Sequence, residues 1–161
     1  MARFEASIDI RADPETVFDL THDYARRLEW DTLLSEARLL DGAPHAGLGV
    51  KALCVGKGRL FGIAVESVYI TFERPWRAAV RMTRGPRVFE TFAASIGHEV
   101  PEPGITRVRY TGQVTTRPRW LRRLVEPVVG TMFRRETRLR LESLKRALET
   151  RSDVADAVLR T

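Results

Sequence analysis

Phe4-Glu5-Ala6-Ser7-Ile8-Asp9-Ile10-Arg11 alternates strictly, and the next run, Ala12-Asp13-Pro14-Glu15-Thr16-Val17-Phe18-Asp19-Leu20, changes period at once. Phe4, Ala6, Ile8 and Ile10 fall on one side and Glu5, Ser7, Asp9 and Arg11 on the other, which is the pattern of a half-buried strand. Asp13 is placed to cap a helix whose first position is Pro14: a carboxylate accepts the unpaired amides of the first turn, and proline has none to satisfy. Tyr24 to Leu28 predicts a second short helix. Glu29, Trp30 and Asp31 then lead back into extended chain.

Outward from this opening, the chain reads as strands for about ninety residues. Strands are predicted over 33–40, 50–55, 61–73, 76–83, 87–96 and 105–115. Asp41-Gly42-Ala43-Pro44, Gly56-Lys57-Gly58, Arg74-Pro75, Arg84-Gly85-Pro86 and a loop over 99–104 punctuate them. Connections this short suit an antiparallel meander and leave no room for helical crossovers. The chain closes on a long helical pattern. Val129, Phe133, Thr137, Leu141, Leu144 and Leu148 form one stripe, and Leu121, Val125, Val128, Met132 and Leu139 an adjacent one. Arg122, Arg123, Arg134, Arg138 and Arg140 are expected to lie away from both. Pro127 and Gly130 predict a short helical turn over 119–126, a kink, then a continuous helix to about Glu149. Residues 150–161 extend that helix or form a tail.

The expected fold is therefore α+β in a single domain spanning 1–161, with its core in 2–149. A curved antiparallel sheet of six or seven strands grips a long C-terminal helix, and two short helices follow the first strand. At 161 residues, 43% hydrophobic and 30% charged, the chain has the material for one real core. No apolar run reaches the ~20 residues of a membrane span. Cys54 is the single cysteine, so no intrachain disulfide can form, and the expected location is cytoplasmic. Between Arg117 and Arg151 ten arginines and Lys145 face four glutamates, a net +7 against +6 for the whole chain. All the excess positive charge thus sits on the last helix and its flanks. An expected consequence is weak peripheral contact with anionic membranes through Arg122, Arg123, Arg134 and Arg138. The interspersed glutamates argue for a solvated face and against nucleic acid. Oligomeric state is left open.

The stretch 8–31 ("IDIRADPETVFDLTHDYARRLEWD"), together with "FERPWRAAVRM" and the terminal "RLRLESLKRALE", resembles the SRPBCC superfamily. Its branches include START-like lipid carriers, polyketide cyclases and dehydratases, and coenzyme Q-binding proteins. The resemblance spans residues 2 to about 149 and implies a helix-grip fold with a hollow core. It also implies that the region around His22, Asp23 and Asp31 gates access to that hollow.

Candidate site residues follow from the faces of the strands. Tyr110 shares a face with Val108 and Val114; Glu90 falls in register with Val88, Phe92, Ala94 and Ile96; Glu66 shares a face with Val68, Ile70 and Phe72. Two carboxylates and a phenol are thereby expected inside an apolar space, where an unpaired charge is costly. They mark either the polar end of a ligand cavity or an acid/base group, with Glu90 and Tyr110 the candidates for moving a proton. The alternatives are a bulge that flips the register, or an arginine that pairs the carboxylates. Val128, Met132 and Phe133 are expected to close the cavity from the helix, and Trp30, Trp76 and Phe61 to rim it or to close the core. His22, His45 and His98 are scattered singly, so no metal site or cofactor is expected. The leading expectation is binding of a hydrophobic small molecule (a lipid, quinone or polyketide). A polyketide cyclase or dehydratase using the same cavity is the alternative, and basic-helix binding to an anionic membrane or RNA is the third.

Overall fold

A computed structural model describes residues 1–57 and 62–159, the last nine of them as helix backbone. Gly58 and Phe61, assigned above to a turn and a cavity rim, lie outside the described residues. The order is β1 (Ala2–Ile10), α1 (Pro14–His22), α2 (Arg27–Trp30), β2 (Leu34–Leu39), β3 (Lys51–Gly56), β4 (Ala64–Glu73), β5 (Arg77–Arg84), β6 (Phe89–Glu102), β7 (Ile105–Thr116), a single 3-10 turn (Arg119–Leu121) and α3 (Arg122–Leu159). The seven strands form one antiparallel sheet in the order β1-β7-β6-β5-β4-β3-β2, with α3 packed across it. The α+β helix-grip architecture is the expected one.

Local chemistry explains the opening. Asp13 Oδ1 accepts from the Thr16 amide at 2.8 Å and Pro14 occupies the first turn of α1. On β1, Ala2, Phe4 and Ile10 are buried while Arg3 and Glu5 are exposed, and the strand pairs with β7 so that Ala6 opposes Tyr110. Gly112 sits beneath the Phe4 ring, where a Cβ would collide with it. The sheet therefore needs glycine at that position to let Phe4 lie flat against Phe133, 5.1 Å between centroids.

Two expectations about the backbone are corrected. α3 runs unbroken through Pro127 instead of breaking there. Proline forfeits one backbone bond, and three contacts hold the segment around it: the Glu126 carboxylate ties down the N-terminal ammonium, Glu126 also accepts from the Thr116 amide, and Gly130 lets the helix approach Ala2 closely. Of the two alternatives for the segment after Glu149, the helix extension is the one found, to Leu159. The predicted loop at 99–104 is largely strand: β6 reaches Glu102 with a bulge after Glu99, and only Pro103 and Gly104 turn the chain. Gly104, at φ +79°, supplies the left-handed residue that turn requires.

Candidate functional site

The core between sheet and helix is divided in two. One cluster gathers Ile10, Phe18, Trp30, Ile96, Val108, Leu141 and Leu144; the other gathers Ala2, Phe89 and Val114, with Phe92 and Phe133 packed on it. Between them lies a cavity of about 150 Å³. Phe92, Ala94 and Ile96 of β6, Val80 of β5, Tyr110 of β7 and Phe133 of α3 line it. So do Val65, Ser67 and Tyr69 of β4, His22 of α1, Tyr24, Arg27 of α2, Cys54 of β3 and Arg140 of α3. A larger depression of about 480 Å³ lies over Ile70, Ala93 and Gln113, but its charged groups, Arg3, Glu5 and Arg134, are all exposed.

The polar groups of the cavity form two connected sets. His22 Nδ1 and the Tyr69 hydroxyl are 2.9 Å apart, and the Tyr24 and Tyr69 hydroxyls 3.3 Å. His22 Nε2 is buried with no hydrogen-bond partner among the described residues. Burial, with Arg27 adding to it, pushes the His22 pKa down to about 3, so its imidazole is neutral at neutral pH. Burial likewise pushes Tyr69 up to about 12 and raises Tyr24 and Cys54, which keeps all three protonated. His22 and Tyr24 also line an outer cleft of about 450 Å³ with Phe18, Ala46 and Phe72. They are thus the partition between the cavity and the surface.

The second set is ionic. Arg27 Nε lies 3.0 Å and Arg140 Nε 2.8 Å from the same Asp31 Oδ2, and Asp31 is fully buried. Arg27 also donates from Nη1 to the Thr21 carbonyl at 2.5 Å and stacks over Trp30, 4.6 Å from the ring centroid. Burial opposes charge on all three groups. Arg140 and Arg27 together outweigh it at Asp31 and hold that carboxyl below its ordinary value; Asp31 in turn keeps both guanidiniums charged. Arg140 was expected to point away from the sheet. It points into the cavity, because it continues the helical spacing Phe133–Thr137–Arg140–Leu144 that faces the sheet.

Several candidate residues lie elsewhere. Phe92, Tyr110 and Phe133 line the cavity as anticipated. On β4 the inward residues are Val65, Ser67 and Tyr69, so Glu66, Val68 and Ile70 face outward. Ile70 is 48% exposed, and Glu66 accepts from the Thr83 hydroxyl at 2.8 Å. A register shift between Tyr69 and Thr71 turns Phe72 back inward, toward the outer cleft. On β6 a bulge between Phe89 and Thr91 buries Phe89 and keeps Phe92 inward, and Glu90 leaves the cavity face. Its carboxylate pairs with Arg122, with Arg119 at 3.5 Å and Arg117 at 4.0 Å. Trp30 is buried under Arg27 in the core, whereas Trp76 is 51% and Val128 70% exposed. Met132 is half-buried outside the cavity lining. Asp23 accepts from the Ala25 amide, so it is Tyr69 that partners His22.

The chain matches the family described as polyketide cyclase / dehydrase and lipid transport over residues 1–149. No curated protein matches it. Among solved structures it is similar to a START superfamily protein from Mycobacterium smegmatis, with TM-score 0.77, 10% identity, and coverage of 93% of this chain and 99% of that one. It is similar to the di-domain ARO/CYC StfQ from the steffimycin biosynthetic pathway, with TM-score 0.77, 10% identity, and coverage of 94% of this chain and 52% of the di-domain chain. It is also similar to ginseng major latex-like protein 151 from Panax ginseng, with TM-score 0.69, 7% identity, and coverage of 91% and 96%. Identities this low speak for the fold alone.

Proposed function

The chain belongs to the polyketide cyclase, dehydrase and lipid transport family, and on that premise we propose that it binds a hydrophobic small molecule between its sheet and α3. The division of the core into two clusters, with a cavity of about 150 Å³ between them, carries the reading. A space that size takes up a molecule of about the scale of benzene. A lipid, quinone or polyketide chain fills it by displacing the His22–Tyr24 partition and extending into the outer cleft. Native mass spectrometry of the purified protein, followed by extraction of what it carries, identifies the ligand. A neutral apolar dye such as N-phenyl-1-naphthylamine is expected to be taken up and to raise the Tm by mass action. Failure of any apolar compound to bind overturns the reading.

Binding is favoured over turnover by the state of the polar groups. The cavity histidine is neutral and a weak base, with its pKa near 3, and Tyr24 and Tyr69 hold their protons tightly. Glu90, the carboxylate offered as a proton carrier, faces away. A cyclase or dehydratase reading leaves Tyr110 as its proton-moving candidate, and its test is conversion of a poly-β-ketone substrate.

A second reading rests on the 3-10 turn and the start of α3. Trp120, Leu124 and Val128 recur at four-residue spacing and are 79%, 72% and 70% exposed, beside the exposed Arg119 and Arg123. Apolar side chains flanked by guanidiniums suit an anionic membrane surface. Arg122, by contrast, is occupied by Glu90 and by the Thr116 carbonyl at 2.8 Å. Vesicles containing phosphatidylserine should retain the protein at low salt, and Trp120→Ser with Leu124→Ser should release it. Unchanged retention by the double variant removes this reading.

A further inference from the structure

Arg140 is a charged side chain whose hydrogen bonding the fold leaves incomplete. A guanidinium has five N–H donors. Only Nε of Arg140 is used, on Asp31, and no other hydrogen bond reaches it among the described residues. Its remaining donors belong to a residue that lines the cavity, with an 18% exposed side chain against 0% for Asp31. Arg27 spends two of its donors on Asp31 and Thr21 and lies along the same wall. Two cations thus share one anion.

The balance around the cavity is positive. His22, Tyr24, Tyr69 and Cys54 are neutral at neutral pH. Glu136, one turn before Arg140, is buried but makes no ion pair with it. An uncompensated buried charge is expensive, so the second guanidinium on one carboxylate gains from any further anion that reaches it. Water satisfies donors without cancelling charge. A ligand that brings one negative charge does both.

We infer that the cavity is built for a small apolar acid, whose carboxylate seats on the free edge of Arg140 beside Arg27 and whose hydrocarbon body lies toward Phe92 and Phe133. This rests on the binding reading above and adds to it the charge and scale of the ligand. At about 150 Å³ the cavity suits a single ring or a short branched chain. The aromatic end is well formed, with Phe92 and Phe133 centroids 5.6 Å apart.

Three probes of one shape separate the possibilities: 3-phenylpropionate, 3-phenylpropionamide and propylbenzene, titrated calorimetrically at pH 7.5. The acid should bind at least about tenfold more tightly than the amide, the margin of a charge-assisted hydrogen-bond pair. In Arg140→Gln that ratio should fall toward one, and in Arg140→Lys it should stay above one. Equal affinities of acid and amide in the wild type overturn the inference and leave hydrophobic binding standing. A ratio that survives undiminished in Arg140→Gln overturns the seat on Arg140. If none of the three binds while the apolar dye is still taken up, the inference falls and hydrophobic binding stands; if the dye fails as well, both fall. Should Arg140→Gln not fold, the wild-type ratio and the Arg140→Lys variant decide.

Discussion

Arg140 and Asp31 are 109 residues apart in the chain and 2.8 Å apart in the fold. Asp31 is the counter-charge that lets two arginines enter the interior, so its loss leaves both unpaired. Asp31→Asn should cost about 3–5 kcal/mol, the usual penalty for breaking a buried pair from one side. Because Arg140 and Arg27 hold the carboxyl below its ordinary 3.8, this contribution is complete above that value and is lost as pH falls through the lower folded pKa. Urea unfolding at neutral pH is the measurement, and a variant within about 1 kcal/mol of wild type contradicts it.

His22 adds an acid sensitivity at higher pH. Its folded pKa lies near 3 against an ordinary 6.5, so the unfolded chain binds the proton first. Stability is full above about 6.5 and falls as pH drops toward 3, by an amount on the order of a few kcal/mol. His98 is shifted the same way, chiefly by burial, so it keeps part of the slope. The Tm of His22→Gln should therefore fall less than that of wild type between pH 7 and 5. Parallel slopes would show that His22 is not the group responsible.

Glu90 should behave as a structural residue. With Arg122, Arg119 and Arg117 around it, Glu90→Gln is expected to lower stability by about 1–3 kcal/mol and leave dye uptake unchanged. A stable variant with weakened uptake would return it to the cavity.

Gly112→Ala tests how the cavity is held open. The new methyl displaces Phe4, which stacks on Phe92, Tyr110 and Phe133. A cost of about 1–3 kcal/mol is expected from overpacking, together with reduced uptake of an apolar dye. Stability and uptake equal to wild type would mean that Phe4 does not set the cavity wall.

Regular alternation and regular helical spacing were legible. Phe4 to Ile10, the Asp13 cap, the Tyr110 face of β7 and the stripe from Val129 to Leu148 all follow from periods of 2 and 3.6. β4 was misread because a hollow core inverts the usual rule. Its inward set, Val65, Ser67 and Tyr69, is less apolar than the outward Val68 and Ile70. The bulge beside Glu90 carries no glycine or proline to announce it. Arg140 was assigned to solvent by its charge although its spacing from Phe133 and Leu144 placed it inside. Asp31, four residues after Arg27, was the signal that two charges could be buried together.

The pairing of β1 with β7 governs how the molecule comes into being. β2 through β6 are joined neighbour to neighbour and can zip as they emerge from a ribosome, whereas β1 must wait about a hundred residues for its partner. α3 comes later still and carries Phe133 and Arg140, so the cavity has no wall on that side until α3 has been made. A molecule that fits the cavity therefore cannot stabilise the chain before α3 docks. Until the last helix docks, the inner face of the meander is exposed hydrophobic surface, the stage at which chains of high contact order aggregate. Any helper that improves the yield of this protein must act before α3 docks.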